Sequence, residues 1–421
     1  MKSVIVIGDG MSDRPVERLG GRTPLQAANK PYIDRIAREG RTGLLRTVGE
    51  TGPADSAVAN LAVLGYDPAT SSQGRAVLEA ASMGVELRPD DVAVRCNLVC
   101  LEGPRYDRRI RNHSAGHISN EEAAELIRAL DAELGGGQGP HPAHFFPGVS
   151  YRHLLVLRGG WASPAVECAP PHDNVGGRVA DLLPQALDQG AATTARRLIE
   201  LYERALPILA GHPVNAARRA AGKDEANAIW TWSPGRRQPL QSLAERYGVR
   251  GAVISAVDLI MGLGVCVGMD LVRVPGATGL SDTNYEGKAA AALDALADHD
   301  LVYVHVEATD EAGHARDLDL KVRCIEYLDQ RLVRLILEGL DTRGIRAAIA
   351  VLPDHPTPVA TGQHGRDPVP VAILRPGEAP DATERYDEVE AARGALGMMS
   401  GLQFMRRMTD HEVAGGPHAR A

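Results

Sequence analysis

The chain has 421 residues, enough for two ordinary domains, and its 44% hydrophobic and 24% charged residues are the balance of a globular protein. Its net charge is −8, and no run of lysine and arginine is long enough to reverse that charge locally. The composition therefore argues against a nucleic-acid partner and against binding to an anionic membrane surface.

The N-terminal residues predict a buried strand followed by a polar turn. Val4 to Ile7 is a short apolar run that leads into Gly8-Asp9-Gly10, which is unlike the core and cleavage site of a signal peptide. No later run approaches the ~20 apolar residues of a membrane helix. The five cysteines are scattered and form no C-x-x-C pair, so we expect reduced thiols and a cytoplasmic location without membrane contact.

The middle of the chain differs from its two ends. It holds Gly- and Pro-rich connections, a polar helical pattern over 120–134, and all three tryptophans of the sequence. We interpret residues 87–247 as a smaller α+β domain inserted into a core made of residues 1–86 and 248–421. Trp230 and Trp232 alternate as on a strand, so we expect one in the core and the other at a surface or cleft.

Further strands are predicted in the last third of the chain. Apolar runs at 301–306, 347–352 and 369–374 are typical of buried strands, and an amphipathic helical pattern extends from Leu318 to Leu337. This alternation predicts an α/β sandwich with a mostly parallel sheet. The final residues, 415–421, are expected to form a frayed tail.

Chemically reactive residues follow the ends of the predicted strands, where open α/β sheets place their active sites. One aspartate follows the first strand, an Asp-x-x-x-His segment follows the 301–306 strand, and an Asp-His pair with a later histidine follows the 347–352 strand. Ser56 precedes a helical run at 58–64. The candidates after the strands are Asp9, Asp310, His314, Asp354, His355 and His364.

These residue types point to metal-assisted phosphoryl transfer. Aspartate and histidine suit Zn²⁺, Mn²⁺ and related ions, and Asp310 and His314 share a face if their segment is helical. Two ions would hold both the attacking and the leaving oxygen of an in-line displacement. A serine hydroxyl needs a metal to lower its pKa, and a helix N-terminus stabilises the negative charge. We therefore predict a two-metal enzyme with Ser56 as the phosphorylated nucleophile; the lack of a P-loop motif disfavours a Walker-type kinase.

The same segments resemble a known family over nearly the whole chain. The matching blocks are Gly8 to Met11, Asn60 to Pro68, Gly74 to Val85, Ser114 to Ser119, Pro147 to His153, Pro170 to Asp173, Thr283 to Lys288, Pro353 to Pro358 and Asp367 to Pro370. They are similar to the archaeal-type cofactor-independent phosphoglycerate mutases, which belong to the alkaline phosphatase superfamily. The resemblance implies a three-layer, alkaline-phosphatase-like core with a cap domain that closes over a small phosphorylated substrate.

The resemblance also implies roles for individual residues. One metal would be held by Asp310, His314 and His364, and the other by Asp9, Ser56, Asp354 and His355. Mn²⁺ is favoured for both sites, with Zn²⁺, Co²⁺ and Mg²⁺ as alternatives. Ser56 would take the phosphoryl group from 3-phosphoglycerate and return it to the neighbouring hydroxyl. The candidates for gripping phosphate and carboxylate are His117, Arg152, His172, Asp173, Lys288, Arg75, Arg218 and Arg236.

Several functions stay open at this point. The triplet Asp55-Ser56-Ala57 resembles true alkaline phosphatases, in which the aspartate orients an arginine, and would suit a phosphatase. Ile110 to His117 and Gly20 to Leu25 resemble a bacterial branch proposed to be homoserine kinases. A specialised biosynthetic mutase and an inactive binding module are further alternatives, and the sequence does not indicate an oligomeric state.

Overall fold

The computed structural model describes residues 1–51, 54–71, 73–104, 107–136 and 139–410. The tail predicted at 415–421 lies outside the described residues. The chain divides into two compact units, which we call the first unit (residues 1–72 and 240–421) and the inserted unit (residues 73–239).

Fifteen strands occur in the described residues. In chain order they are β1 Lys2–Gly8, β2 Arg41–Arg46, β3 Val92–Glu102, β4 Arg109–Asn112, β5 Ala143–Phe146, β6 Arg152–Leu157, β7 Val166–Glu167, β8 Gln185–Ala186, β9 Ala228–Gly235, β10 Gly251–Ile254, β11 Asp270–Leu271, β12 Leu301–Val306, β13 Ala347–Leu352, β14 Val369–Leu374 and β15 Gly397–Ser400. The strands predicted at 301–306, 347–352 and 369–374 are thus confirmed, and so is the strand at the N-terminus.

The helices are α1 Pro24–Ala27, α2 Pro31–Glu39, α3 Ser56–Val63, α4 Pro68–Ser71, α5 Arg75–Ser82, α6 Asn120–Leu134, α7 Ala192–Gly211, α8 Pro213–Ala220, α9 Leu243–Tyr247, α10 Asp258–Cys266, α11 Tyr285–Ala295, α12 Ala308–His314, α13 Leu318–Tyr327, α14 Arg334–Arg343, α15 Glu388–Ala391 and α16 Gly401–Thr409. A π-helical turn, Leu328–Val333, joins α13 to α14, so the predicted amphipathic helix is one long helix with a π segment inside it. Among the described helices, none has the length and apolar character needed to cross a membrane.

The first unit is built on an eight-stranded sheet in the order β11-β10-β12-β1-β13-β14-β2-β15. Among these described strands, β14 alone runs against the others, so the prediction of a mostly parallel sheet is confirmed. Alternate residues of each strand face opposite sides. Val4 and Val6 pack in one core with α11, α13 and α14. On the other side, the Ser3 hydroxyl contacts α16 and the Tyr303 hydroxyl reaches α3, which gives the helix–sheet–helix layers expected of this fold class.

The inserted unit is an antiparallel sheet with helices. β3 lies at its centre and pairs with β4, β6 and β9, while α6 and α7 pack over one core. Helix α6 has the bounds predicted from the sequence and begins at a capping box of Ser119 and Glu122. The expectation that one of the two β9 tryptophans lies in the core and the other at a surface or cleft is not met, because both belong to one buried cluster. Trp230 and Trp232 are both buried, because residues two apart on a strand share a face.

The unit boundaries differ from those inferred from the sequence. Residues 73–86 lie in the inserted unit, since Ala76, Val77 and Ala80 of α5 pack against Ala93 of β3. Residues 240–247 lie in the first unit, where Leu243 and Tyr247 of α9 are buried. The boundaries inferred from the sequence lie 14 and 8 residues from these two junctions, because neither junction has a marked change in composition.

Candidate active site

The carboxyl ends of three neighbouring strands bring the predicted ligands together. β1 lies between β12 and β13, and the parallel registers place Ile7 beside both His305 and Leu352. The residues that follow these strands therefore meet at one edge of the sheet, as the sequence pattern predicts.

Asp310, His314 and His364 form what we call the first cluster. His314 lies one turn after Asp310 on α12, and its Nε2 is 3.0 Å from Asp310 Oδ2. His364 Nε2 is 3.7 Å from Asp310 Oδ1 and 2.9 Å from His314 Nε2. The Nδ1 atoms face backbone carbonyls instead, at 2.9 Å from Gly362 O and 2.8 Å from Ala54 O.

The geometry of the first cluster suits a divalent cation. Because each Nδ1 donates its proton to a carbonyl, each Nε2 carries a lone pair when the ring is neutral. Two lone pairs and a carboxylate therefore converge on one point. Without a cation the hydrogen bond to Asp310 raises the pKa of His314 to about 9, so that a binding metal ion must displace a proton.

Asp9, Asp354 and His355 form the second cluster, and all three are fully buried. His355 Nε2 lies 3.4 Å from Asp9 Oδ1 and 3.5 Å from Asp354 Oδ2. Burial raises the pKa of Asp9 well above its ordinary value, and neighbouring carboxylates, Asp354 first, raise it further. Asp9 Oδ1 is buried without a hydrogen-bond partner among the described residues. A buried, unsatisfied carboxylate oxygen among other carboxylates fits a cation site.

Ser56 is the first residue of α3 and lies against the second cluster. Its Oγ is 3.1 Å from His355 Nε2. Asp55 caps the helix, because its carboxylate accepts a hydrogen bond of 2.9 Å from the Val58 N–H. The His355 ring also stacks on His364 of the first cluster, with 4.0 Å between ring centroids. The predicted nucleophile and all six predicted ligands are thus brought to one place.

A third group of possible ligands was missed by sequence reasoning. His305 Nε2 lies 2.9 Å from Asp9 Oδ2 and 3.6 Å from Glu307 Oε2, and its Nδ1 is 3.2 Å from Ser255 Oγ. Burial raises the pKa of Glu307 to about 7. In the sequence, the feature that could have indicated this group is a histidine within the otherwise apolar strand β12, which lies directly beside β1.

Asn60 was also missed, although it joins the start of α3 to the second cluster. Its Nδ2 donates to Ser56 O at 2.8 Å and to Asp354 Oδ2 at 2.7 Å. The hydroxyl of Tyr303 donates to the Asn60 Oδ1 and so fixes which way the amide points. The signal would have been an asparagine within a helix that is otherwise apolar.

Lys288 on α11 places an amine close to this edge of the sheet. Its side chain is 1% exposed, and Nζ donates to His305 O at 2.8 Å. Burial lowers the pKa of Lys288 to about 8, while the charge of Glu307 opposes that shift. The amine is therefore still largely protonated at pH 7, as a contact to an anion requires.

The inserted unit carries a group of basic side chains, which we call the basic patch: Arg75, Arg95, Arg152, His117 and His172. Arg95 was not predicted. It lies 3.9 Å from the ring centroid of Trp232 and pairs with Glu79 at 2.9 Å. Burial lowers the pKa of Arg95, and the charges of Arg75 and Arg152 lower it further. An arginine inside the apolar run of β3 was the signal for it.

Aromatic contacts join the remaining members of the basic patch. The His172 ring lies 5.2 Å from that of Trp232, and its Nε2 is 3.7 Å from Asp173 Oδ1. Tyr151 stands between the other two, 6.2 Å from the His117 ring and 5.8 Å from the Arg152 guanidinium. The His113 ring links these groups, 5.7 Å from the Tyr151 ring and 6.3 Å from the His172 ring, and Arg75 Nε lies 3.9 Å from Glu79 Oε1. Five of the predicted substrate residues thus belong to one set of contacts within the inserted unit.

Arg218 and Arg236 have protein partners instead. Arg218 is 3% exposed, and its three nitrogens donate to Asp224 O, Glu122 Oε2 and Ala115 O. Arg236 Nη2 donates to Ala162 O at 2.7 Å. A buried guanidinium with these acceptors stabilises the 115–122 segment, so the contacts of Arg218 favour a structural role over the predicted substrate contact.

Known sequences match the chain along nearly its whole length. A family model for 2,3-bisphosphoglycerate-independent phosphoglycerate mutase matches residues 37–215. A mutase of that name from Methanosarcina acetivorans is 48% identical over 400 residues, which are 95% of this chain and 97% of the relative. A probable mutase of the same name from Geobacter sulfurreducens is 47% identical over 412 residues, 97% of this chain and 100% of the relative.

Two solved structures share the fold. A protein from Pyrococcus horikoshii aligns with a TM-score of 0.79 at 30% identity, covering 99% of both chains. The cofactor-independent phosphoglycerate mutase from Thermoplasma acidophilum aligns with a TM-score of 0.68 at 27% identity, covering 99% of this chain and 100% of that one.

Proposed function

Because this chain belongs to the 2,3-bisphosphoglycerate-independent phosphoglycerate mutase family, we propose that it interconverts 3-phosphoglycerate and 2-phosphoglycerate through a phosphorylated Ser56. Family membership confirms the resemblance drawn from the sequence motifs. The observation that carries the proposal is the position of Ser56 Oγ, which lies at the start of α3 and 3.1 Å from a ring nitrogen of His355.

The two clusters would hold the divalent ions. The first cluster, Asp310, His314 and His364, would bind one ion, and the second cluster, Asp9, Asp354 and His355, would bind the other together with Ser56 Oγ. When bound, the ions lower the pKa of the serine hydroxyl and offset the charge of the phosphoryl oxygens. Mn²⁺ is favoured by family likeness, while the histidine-containing sets also accept Zn²⁺ and Co²⁺, and Mg²⁺ is a further candidate.

The side chains of this protein would then act in two displacements. In the first, the Ser56 oxygen loses its proton and forms a bond to phosphorus, while the bond from phosphorus to the glycerate oxygen breaks and that oxygen takes up a proton. The N-terminus of α3 and the Lys288 amine favour the negative charge that gathers there. In the second, the neighbouring hydroxyl of glycerate loses its proton as it attacks the phosphoserine. The Ser56–phosphorus bond then breaks, and the Ser56 oxygen regains a proton.

The inserted unit would supply the groups that hold glycerate. Its basic patch combines two guanidinium groups that suit planar carboxylate and phosphate recognition, on Arg95 and Arg152, with His117 and His172. In this proposal the inserted unit is the substrate-binding cap, with Arg75 and Asp173 at the edge of the patch. Arg236 remains a weaker candidate, because one of its nitrogens already donates to the backbone.

The decisive experiment is phosphorus NMR of 3-phosphoglycerate incubated with the Mn²⁺-supplemented protein, with the metal removed by a chelator before the spectrum is recorded. We expect 2-phosphoglycerate with the wild type and none with Ser56→Ala. Ser400→Ala, which removes a hydroxyl at the start of α16 in the same unit, is the matched control and should remain active. Mass spectrometry of acid-quenched protein should find a phosphate on the peptide that contains Ser56.

Other products would select the other functions. Release of inorganic phosphate without 2-phosphoglycerate would identify a phosphatase, as the triplet Asp55-Ser56-Ala57 suggests. Phosphorylation of homoserine by ATP would identify a kinase of the homoserine branch. If the metal-loaded protein changes none of these compounds, the mutase proposal is wrong.

A further inference from the structure

A buried threonine lies between the first and the second cluster. Thr357, in the loop after β13, is fully buried. Its hydroxyl oxygen contacts Asp310 Oδ1 of the first cluster and lies 3.2 Å from His355 Nδ1 of the second. Thr357 lies in the matching block Pro353 to Pro358, but neither that motif nor the metal-ligand pattern assigned a role to its hydroxyl.

The chemistry of the three groups fixes the direction of both hydrogen bonds. An ionised carboxylate only accepts, so the Thr357 hydroxyl donates its single proton to Asp310. Its oxygen must then accept from His355, which places the ring proton on Nδ1. When the ring is neutral, the Nε2 of His355 therefore carries a lone pair, and that lone pair faces Asp9 and Ser56.

The surroundings hold Thr357 in place. Its carbonyl accepts a hydrogen bond of 2.8 Å from the buried amine of Lys321, which also pairs with Asp13 at 2.9 Å. Gly10, whose φ is +59°, packs against the hydroxyl. A Cβ at position 10 would lie 2.5 Å from Thr357 Oγ1 and closer still to Asp310 Oδ1. Only a glycine at position 10 therefore leaves room for the Thr357 hydroxyl and the Asp310 carboxylate beside it.

We propose that Thr357 is a positioning residue that couples the two metal sites, by fixing the His355 tautomer and the Asp310 carboxylate through one hydroxyl. The inference rests on the two-ion reading of the proposed function. Polar groups behind metal ligands commonly set ligand orientation and basicity. Because this hydroxyl serves a ligand of each site, order imposed at one site is transmitted to the other, and the two ions bind interdependently.

The test compares Thr357→Val, which keeps the shape and loses both hydrogen bonds, with Thr357→Ser, which keeps them. Thr383→Val is the matched control, because Thr383 is also buried and its hydroxyl hydrogen-bonds to the Thr42 hydroxyl at 2.8 Å. Thr42 lies near the start of β2, at the end of the sheet away from the two clusters. Mn²⁺ titrations by calorimetry and electron paramagnetic resonance measure the affinity and interdependence of the two ions. Nitrogen NMR of the histidine rings in chelator-treated protein reports the His355 tautomer without any metal.

We expect Thr357→Val to weaken Mn²⁺ binding about 10- to 100-fold and to remove the interdependence of the two ions. The proton of His355 should no longer be confined to Nδ1. The serine variant and the Thr383→Val control should both bind Mn²⁺ like the wild type.

Wild-type metal affinity in Thr357→Val overturns the inference. A neutral His355 ring in the wild type that carries its proton on Nε2 also overturns it. The second measurement needs no variant, so it stands even if Thr357→Val does not fold. A protein that binds the two ions interdependently and yet forms no 2-phosphoglycerate would keep this inference and refute the proposed mutase activity. A wild-type protein that forms 2-phosphoglycerate but binds the two ions independently would keep the proposed mutase activity and refute this inference.

Discussion

Replacing Lys288 with methionine is expected to stabilise the first unit and to impair catalysis. Burial lowers the pKa of Lys288 from 10.5 to about 8. At 1.36 kcal/mol for each pKa unit, keeping the amine charged in the folded protein at pH 7 costs about 3 kcal/mol. Methionine removes that cost and loses the hydrogen bond to His305 O, which is worth about 1 kcal/mol. The free energy of unfolding should therefore rise by about 2 kcal/mol.

The pH dependence tests the cause of this gain. A lysine with a depressed pKa carries its full cost below pH 8, and the cost disappears between about pH 8 and the unfolded value near 10.5, because the folded state loses its proton first. The advantage of Lys288→Met should therefore be complete at pH 7 and nearly absent at about pH 9.5.

Hydrogen exchange measured by mass spectrometry on peptides from β1 and β12 reports the stability of the first unit separately. Lys321→Met is the contrasting control, because it leaves the carboxylate of Asp13 buried without its partner and should destabilise by about 3–5 kcal/mol. A Lys288→Met protein that is less stable than the wild type at pH 7, or equally stabilised at both pH values, would refute the reasoning. The mutase assay should show that Lys288→Met loses activity despite its stability.

Three other perturbations have outcomes set by the structure. Tyr303→Phe leaves the Asn60 carbonyl without its donor and should cost about 1–3 kcal/mol, measured by hydrogen exchange in β12; an unchanged exchange rate would mean that this hydroxyl does not hold the amide. Burial lowers the pKa of His153 to about 3, and an unfolded histidine titrates near 6.5, so the inserted unit should lose about 2 kcal/mol of stability between about pH 7 and 5. All three tryptophans lie in that unit, so urea unfolding followed by tryptophan fluorescence measures this loss of stability. The variant His153→Asn should abolish the loss. If the variant still loses stability between pH 7 and 5, another titrating group is responsible. Chelation should lower the melting temperature of the first unit, which holds both clusters, and leave the tryptophan transition unmoved; a shift of the tryptophan signal would contradict this assignment.

The sequence predicted much of the fold of the first unit. Strands β12, β13 and β14 have the predicted bounds, because a buried parallel strand needs a continuous apolar run and the polar residues at its ends stand out locally. The same logic located Asp9, Asp310 and Asp354, since the carboxyl ends of adjacent parallel strands share one edge.

Tertiary structure decided which polar side chains meet. The sequence could not reveal that Thr357 lies between Asp310 and His355, or that Asn60 reaches Asp354, because these contacts join segments whose separation along the chain carries no periodic signal. Arg75 and Arg218 looked equivalent as substrate ligands, yet Arg218 finds its acceptors within the protein and Arg75 is largely exposed. The sequence alone determined which chemical groups are available at the sheet edge. The tertiary structure decided which of these groups hydrogen-bond within the protein and which stay available to a ligand. That outcome depends on whether distant segments bring an acceptor within about 3 Å of the donor.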